Sequence, residues 1–371
     1  MKIAILLNDY NEDIEKKDIE KKDIKKNNIL YLLNHKTLTD FEIPILINKG
    51  YGVLTSKKME SLSISNSIYV NNHYYDNFLN LDINIINKLN NVNWYSNNII
   101  SDEIITFLNN NFKFIILTLL TNGALLNQLI TKYNGIILYR FFGRESDYRY
   151  RCLLIENINL NNKIKFIFSY PEIYEFEKSF DNFFNDTNSF IVKLGLSNSL
   201  ITKIINTYSP INNKICFINS KINNCQYYTN IYNEFINNFK TYDYLLLGKN
   251  NNIDDKNKLE NLDDEKYYKK IAECKLMYYH SKEPRHLHYH PLEGIVIGIP
   301  IIFHKENLLS SYLPNSLGNC ENIDDAKKKI DRILSNDIEF INSIINEQNK
   351  IINILTIDYN KNNFDEILSI V

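Results

Sequence analysis

The sequence predicts an α/β protein of two doubly wound lobes, with a cleft between them and a long C-terminal helix. Its 371 residues are typical of two domains of ordinary size. Short, fully apolar segments alternate with helical patterns, which favours parallel sheets covered by helices on both faces. This alternation starts again near residues 197–212, which we interpret as the hinge between the lobes.

The chain begins with a short apolar run, MKIAILLNDY, that predicts a buried strand rather than a signal peptide. Residues 11–27 then contain the near-repeat DIEKKDIEKKDIKK. Its isoleucines Ile14, Ile19 and Ile24 step by roughly 140° around a helix, so they form no single apolar stripe. We interpret this segment as a solvated helix or a mobile insertion, with a partner-binding arm as the alternative.

The first lobe continues as alternating strands and helices. Thr39 or Asp40 stands where a cap of the first helix is expected. The predicted strands are 29–33, 52–55, 113–120 and 135–139, and the predicted helices are 40–48 and 122–132.

The second lobe repeats this alternation after the hinge. The polar segment 250–265 is predicted as a loop, and residues 337–357 are predicted as one long helix. The other predicted strands are 214–219, 242–247, 275–279 and 300–303, and the other predicted helices are 228–239, 266–272, 291–298 and 324–334.

The composition excludes several classes of protein. A formal net charge of −2 and a pI near 6.4 argue against a dedicated nucleic-acid binder, which normally carries a basic excess. Five scattered cysteines without CxxC spacing favour a reducing compartment, so we expect a cytoplasmic protein. The apolar stretches are too short to span a bilayer, which leaves only peripheral membrane association open.

The segment Arg285–Phe303 is the most informative part of the chain. A loop rich in His, Arg and Tyr leads to Pro291, at the position where a helix is expected to begin. Glu293 follows in the first turn, and Gly298-Ile-Pro ends the helix. The start of a helix that faces a cleft binds phosphate well, and a nearby carboxylate can accept hydrogen bonds from sugar hydroxyls.

These residues resemble the donor-binding signature of two-lobed GT-B glycosyltransferases, in particular the retaining enzymes of group 1 (family 4). Leu292-Glu293-Gly294 and Gly298-Ile299-Pro300 match the second half of that signature. The resemblance implies two Rossmann-like lobes, with Glu293 on the ribose of the nucleotide and the backbone around Tyr289–Leu292 on the diphosphate.

The resemblance also implies a division of the chain. Residues 1–27 hold a strand and the charged insertion, 28–198 form the acceptor-side lobe, and 199–345 form the lobe that binds the nucleotide sugar. Residues 346–371 are a helical tail that packs back on the first lobe. The donor-lobe likeness covers roughly 212–345.

One position departs from the signature. Arg285 stands eight residues before Glu293, where the retaining family has a second glutamate. An arginine there could serve a charged donor sugar or the phosphates. Retaining or inverting stereochemistry therefore stays open at this point.

Other segments agree with a donor lobe. Lys221 follows the strand after which the family has a basic residue for the diphosphate, and Gly248 and Lys249 resemble the turn beside the nucleotide. The full predicted donor-binding set is Glu293, Arg285, Lys221, His288, Tyr289, His290, Leu292, Gly248 and Lys249.

The alternating histidines His286, His288 and His290 would share one face of a strand and could then bind zinc. The helix start at Pro291 favours a loop instead, in which they contact phosphate or cap the helix. No Asp-x-Asp motif is present to hold a divalent metal on a diphosphate. We therefore predict no metal and no cofactor, with the nucleotide sugar as donor substrate.

The predicted reaction is transfer of a sugar from a nucleotide diphosphate-sugar to the hydroxyl of a glycan, lipid-linked or protein acceptor. An inverting reaction requires a base from the first lobe, for which Asp40 and His35 are the candidates. The alternatives are a nucleotide-sugar epimerase or hydrolase on the same fold, and a His-rich metal-binding or non-catalytic binding protein.

Overall fold

The computed structural model describes residues 28–32, 36–55, 99–118, 123–141, 163–180, 184–249, 251–260 and 262–369. The predicted first strand, the charged near-repeat and the candidate base His35 lie outside these residues.

The described strands are short and fall in two groups along the chain. The first group comprises β1 Asn28–Leu32, β2 Gly52–Thr55, β3 Phe114–Thr118, β4 Ile136–Phe141, β5 Ile164–Phe168 and β6 Ser189–Ile191. The second comprises β7 Ile215–Ile218, β8 Tyr244–Leu247, β9 Lys258–Leu259, β10 Leu276–Tyr279, β11 Ile301–His304 and β12 Asn319–Cys320.

Helices connect these strands. In the first lobe and hinge they are α1 Lys36–Asn48, α2 Asp102–Asn111, α3 Gly123–Lys132, α4 Pro171–Phe180 and α5 Asn198–Ile204. In the second lobe and tail they are α6 Gln226–Phe239, α7 Asp264–Glu273, α8 Tyr289–Ile297, α9 Leu309–Tyr312, α10 Ile323–Leu334, α11 Ile338–Asn349, α12 Ile357–Asn360 and α13 Asp365–Leu368.

Two six-stranded sheets result, and every described strand pair is parallel. The first has the order β2-β1-β3-β4-β5-β6, and the second has the order β12-β11-β10-β7-β8-β9. Strand order therefore reverses between β1 and β3 and between β7 and β10. In open sheets of this kind, ligands bind beyond the carboxyl ends of the strands at the reversal.

Strand β7 shows why each sheet needs helices on both faces. Ile215 and Phe217 belong to one apolar cluster, with helices α6, α10 and α11. Cys216 and Ile218 point the other way, into a second cluster with α7 and α8. All four residues are buried, so a continuous apolar run is the pattern expected of this strand. The predicted architecture of two doubly wound lobes is confirmed.

Helix α1 begins four residues earlier than the sequence predicts. It starts at Lys36, whereas its end at Asn48 is as predicted. Leu38 is fully buried, and its packing against the core draws the segment before Asp40 into the helix. Asp40 therefore lies in the second turn, and neither Thr39 nor Asp40 is the helix cap.

The predicted long helix 337–357 is also wrong in its length. Helix α11 ends at Asn349, and a short 3-10 helix at Asn353–Leu355 and then α12 follow. The chain turns because Leu196 of the first lobe donates its N–H to the Leu355 carbonyl at 2.8 Å. An ion pair between Lys49 and Asp365 holds the tail on the first lobe.

The polar segment 250–265 is not wholly a loop. Lys258–Leu259 adds a short strand beside β8, and α7 begins at Asp264. Asp263 caps this helix by accepting from the Lys266 N–H at 2.8 Å. Across the described residues, no helix combines the length and apolar character needed to cross a membrane.

Gln348, in the last turn of α11, is fully buried and bonds to backbone at the start of β11. Its Oε1 accepts from the Ile301 N–H at 2.9 Å, and its Nε2 donates to the Ile299 carbonyl at 2.8 Å. We predict that Gln348→Ala lowers the free energy of unfolding by about 3 kcal/mol, because two buried backbone groups lose their partners. Urea denaturation measures the change.

The matched control is Lys350→Ala, two residues further on. Lys350 is exposed and pairs with Glu347 at 2.5 Å, so its loss should cost no more than about 0.5 kcal/mol. Equal effects of the two substitutions would contradict the assigned role of Gln348.

Candidate functional site

A cleft of about 650 Å³ lies where the carboxyl ends of the two sheets face each other. The first lobe contributes the start of α1, and the hinge contributes α5. The second lobe contributes the loops after β7 and β8 and the starts of α7 and α8. The lining residues are Thr37, Asp40, Ser197, Ser199, Leu200, Lys203, Ile218, Ser220, Lys221, Leu247, Gly248, Lys249, Leu259, Leu262, Asp264, Tyr267, Tyr268, His288, Tyr289, His290 and Glu293.

The loops after β7 and β8 are locked to each other. The Lys221 N–H donates to the Lys249 carbonyl at 2.9 Å. Buried Asn251 donates to the Asn219 carbonyl and accepts from the Ile222 N–H, both at 2.9 Å. Lys221 has a φ of +60°, a conformation that this network enforces on a non-glycine residue. The backbone positions of Lys221 and Lys249 at the mouth of the cleft are thereby fixed.

Gly248 is needed for this close approach. Its φ is +142°, and a Cβ there would lie 1.8 Å from the carbonyl oxygen of Asn219. The predicted glycine turn after β8 is therefore present, and Gly248 lines the cleft.

Helix α8 points its start at the cleft. His288 is the N-cap residue and Tyr289 is the first helical residue, so Pro291 is third in the helix and not first as predicted. The cap makes no side-chain hydrogen bond. Outward-facing N–H groups give such a helix end a partial positive charge, which suits an anionic ligand.

Glu293 lies one turn into α8, where it lines the cleft although it is only 6% exposed. Burial raises the pKa of its carboxyl from 4.5 to about 7, and the charge of Asp264 adds to this. The Tyr268 hydroxyl donates to Oε1 at 3.3 Å, which lowers the pKa. A carboxylate held this way has strong acceptor capacity for the hydroxyls of a ligand.

The histidines around the start of α8 lie with their rings close together, and they are not on a strand. Nδ1 of His288 lies 3.0 Å from the Tyr279 hydroxyl, and the His286 and His288 rings are 4.6 Å apart. Burial and the neighbouring His280 and His286 lower the pKa of His290 well below its usual range, so it is neutral. No group of three or more metal-binding side chains is arranged around an ion site within the described residues.

Two predicted donor-binding residues lie outside the cleft wall. The Arg285 guanidinium stacks 3.5 Å from the ring centroid of Phe176, which belongs to α4 of the first lobe. Leu292 is buried in the apolar core beneath the helix. Arg285 and Leu292 therefore do not line the cleft, whereas His288, Tyr289, His290 and Glu293 do.

The first lobe and the hinge complete the site. Asp40 lines the cleft from the second turn of α1, and its charge acts on Tyr268 in the second lobe. No local sequence pattern predicts a place in the cleft for Lys203, Tyr267 or Tyr268. Their helices α5 and α7 are ordinary amphipathic segments, and only the folding of the hinge against the second lobe makes them neighbours.

The charges in the cleft are mixed. Lysines Lys203, Lys221 and Lys249 stand on its wall, together with the start of α8. Carboxylates of Asp40, Asp264 and Glu293 share the same cavity. Such a site suits a ligand with an anionic group at one end and hydroxyl donors elsewhere.

Solved structures share this arrangement of lobes. A glycosyltransferase from Rickettsia africae has a TM-score of 0.56 and 13% identity, covering 93% of this chain and 100% of its own. Sucrose-phosphate synthase from Thermosynechococcus elongatus has a TM-score of 0.62 and 10% identity, with 92% and 98% covered. HepE from Anabaena, in complex with UDP-glucose, has a TM-score of 0.61 and 12% identity, with 93% and 100% covered.

The sequence itself matches no family model and no curated protein. At these identities the structural likeness shows the fold, which is the two-lobed GT-B arrangement.

The buried carboxyl of Glu293 predicts a pH-dependent loss of stability. Because its folded pKa of about 7 exceeds the unfolded 4.5, the folded state holds the proton longer. The contribution of the neutral carboxyl to the free energy of unfolding is fully present below pH 4.5. It is lost as the pH rises from 4.5 through 7, which lowers the free energy of unfolding by about 3 kcal/mol. Glu293→Gln should remove this loss, so the variant should be more stable than the wild type at pH 8 but not at pH 4.5.

Urea denaturation at several pH values measures both curves. Glu234→Gln is the control, because Glu234 is half-exposed and pairs with Lys282 on the surface. Parallel pH curves for the wild type and Glu293→Gln would show that Glu293 is not the buried titrating group.

Proposed function

We propose that this protein transfers a sugar from a nucleotide diphosphate-sugar to an acceptor hydroxyl. The observation that carries the proposal is the buried carboxylate of Glu293 at the start of α8, inside a cleft between two parallel sheets. A helix start with a carboxylate one turn further can bind a phosphate and a neighbouring sugar hydroxyl at once. The likeness of the fold to HepE with UDP-glucose supports the same use of the cleft.

The donor lies against the second lobe in this proposal. Its ribose hydroxyls donate to Glu293, and its diphosphate lies between the start of α8 and the ammonium groups of Lys221 and Lys249. Gly248 has no side chain, so the loop after β8 can lie close to the backbone of the loop after β7. His288, Tyr289 and His290 bound the diphosphate on the remaining side.

The leaving diphosphate gains negative charge as the glycosidic bond breaks. Preorganised positive groups stabilise that charge best, because they need no rearrangement during the reaction. Lys221, Lys249 and the helix start supply this stabilisation, so we propose that transfer needs neither a divalent metal nor another cofactor.

The acceptor enters from the first lobe. Asp40 faces the second-lobe wall from α1, and we propose that it is the base that deprotonates the acceptor hydroxyl. This role implies inversion at the transferred carbon. It agrees with Arg285, which stands where the retaining group 1 family has a glutamate and packs on Phe176 instead of lining the cleft. His35 stays a second candidate base.

The proposed setting is the cytoplasm. Cys216, Cys225, Cys274 and Cys320 are free thiols, which supports a reducing compartment. We propose no nucleic-acid partner, since the net charge is −2. Peripheral association of the protein with a membrane is compatible with this proposal when the acceptor is attached to that membrane.

A thermal-shift screen with UDP-, GDP-, CMP- and TDP-sugars, with a chelator present throughout, tests donor binding. One diphosphate-sugar should raise the transition temperature, since a ligand at 100 times its Kd adds about 2.7 kcal/mol of stability. Glu293→Ala should lower the affinity for that ligand about 10- to 100-fold, because the ligand loses hydrogen bonds to a charged group. Affinity should also fall as the pH drops below about 7, where the carboxyl takes up its proton.

Glu234→Ala removes a surface carboxylate of α6 away from the cleft and should bind the donor normally. The proposal fails if no nucleotide sugar binds, or if Glu293→Ala keeps full affinity and transfer. Product analysis with and without an acceptor separates transfer from epimerisation or hydrolysis.

Replacing Asp40 with asparagine tests the base. We expect kcat to fall by about 10²- to 10⁴-fold, with little change in the KM for the donor, because only the proton acceptor is lost. The anomeric configuration of the product, read by NMR, should be inverted. Asp102→Asn, an exposed carboxylate of the same lobe, is the control. An unaffected kcat together with a retained configuration would remove Asp40 from the mechanism.

A further inference from the structure

Helix α7 packs beside α8 and carries a tyrosine to Glu293. The Tyr268 hydroxyl donates to Oε1 of Glu293 at 3.3 Å, and both side chains line the cleft. Among the described residues, Tyr268 is the side chain from which the Glu293 carboxyl accepts a hydrogen bond. The two helices are therefore joined through the carboxyl that we propose as the acceptor for the ribose.

The Tyr268 side chain is held in place as a hydrogen-bond donor. Its ring packs against the apolar cluster that spans both lobes, and the Tyr267 ring meets it edge to face with centroids 5.2 Å apart. Burial raises the pKa of the Tyr268 hydroxyl, and the charges of Glu293 and Asp264 add to this. The hydroxyl therefore keeps its proton and remains a donor when Glu293 is charged.

The bond to Tyr268 leaves most of the carboxylate for a ligand. An ionised carboxylate has two oxygens with about four acceptor directions. Tyr268 uses one of these directions on Oε1, so the others can accept from two neighbouring hydroxyls of a ligand. Without this bond, the Glu293 side chain could exchange among staggered rotamers. The Tyr268 hydroxyl thus favours one orientation of the carboxylate.

Other titratable groups near Glu293 act on it differently. Asp264, one turn earlier on α7, raises the pKa of Glu293 through its charge. Burial raises the pKa of the Tyr267 and Tyr289 hydroxyls well above their usual range, so both are neutral. Two residues of α7 therefore act on Glu293 in opposite directions, Tyr268 towards the charged form and Asp264 towards the neutral form. The remaining titratable side chains of the cleft are Asp40 on α1, Lys203 on α5, Lys221 and Lys249 in the loops after β7 and β8, and His288 and His290 at the start of α8.

We propose that Tyr268 is a positioning residue, which holds the Glu293 carboxylate in the orientation that receives two vicinal hydroxyls. The site thereby selects nucleotides with an intact ribose over nucleotides whose sugar lacks these hydroxyls. The selection of ribose rests on the proposed function, whereas the action of Tyr268 on the carboxyl does not.

The first experiment needs no ligand. Urea denaturation at several pH values shows the pH at which the loss of stability caused by Glu293 ends, about 7 in the wild type. Tyr268→Phe keeps the ring and removes the donor to the charged form, so we expect this pH to rise by about one unit. Asp264→Asn removes a neighbouring negative charge and should lower it instead. General damage to α7 would not move the two variants in opposite directions.

The second experiment compares the affinities for UDP, which is bound to HepE of the same fold, and for 2′,3′-dideoxy-UDP, by isothermal titration calorimetry. The wild type should bind UDP more tightly, because the dideoxy sugar has no hydroxyls for Glu293. Tyr268→Phe should lower the affinity for UDP about tenfold near pH 7.5 and leave that for the dideoxy nucleotide unchanged. About threefold of this loss should persist near pH 9, where the carboxylate is charged in both proteins and its orientation alone differs.

Tyr232→Phe is the matched control. Tyr232 donates to the Asp255 carboxylate at 2.8 Å in the same lobe, and neither residue lines the cleft. Loss of this bond should change neither the pH at which the Glu293 effect ends nor the preference for UDP.

An unchanged pH dependence in Tyr268→Phe, or an equal loss of affinity for the two nucleotides, would overturn the inference. A wild type that binds UDP and the dideoxy nucleotide equally well would overturn the selection of ribose. If the wild type does not bind UDP, that result counts against the proposed function, and the ligand-free experiment still decides whether Tyr268 positions Glu293.

Discussion

Parallel pairing of β7 with β10 is the constraint on which the site depends. Tyr278 pairs with Phe217 at the centre of the second sheet, and strand order reverses there. The two following connections must leave the sheet in opposite directions, which opens a crevice beyond the strand ends. The loop after β7 presents Lys221 to this crevice, and the loop after β10 leads to α8 and Glu293. Both sides of the proposed diphosphate site follow from one pairing.

In the second lobe, a few contacts hold these loops and α8 in place. The turns after β7 and β8 are locked by the backbone of Gly248 and by the side-chain amide of Asn251. Gly298 ends α8 in a left-handed conformation at a φ of +90°. The hinge then runs along that end, because the Asn206 and Tyr208 N–H groups donate to carbonyls of α8, both at 3.0 Å. The helix that carries Glu293 is therefore held by its own lobe at one end and by the lobe junction at the other.

Electrostatics explain how one cavity can hold both charge types. Glu293 is buried and titrates near pH 7, so its charge is costly in the free protein and useful to a ligand with hydroxyl donors. Lys221 and Lys249 stay exposed at the mouth, where their charges cost little until a ligand covers them. Burial lowers the pKa values of His280 and His290, so these two rings are neutral. The two neutral rings thus offer hydrogen bonds without repelling the lysines.

The sequence by itself determined the fold class, because buried parallel strands require continuous apolar runs and the helices between them require amphipathic ones. It also singled out Glu293, Lys221 and Gly248, since a helix start and tight turns have local chemical signatures. Tertiary structure alone decided the extent of α1 and α11, where packing of Leu38 and bonding of Leu355 override local preference. It also moved Arg285 onto Phe176 and joined Lys203 and Tyr268 to the cleft. Those positions depend on contacts between segments that are far apart in the sequence, so the local sequence pattern does not predict them.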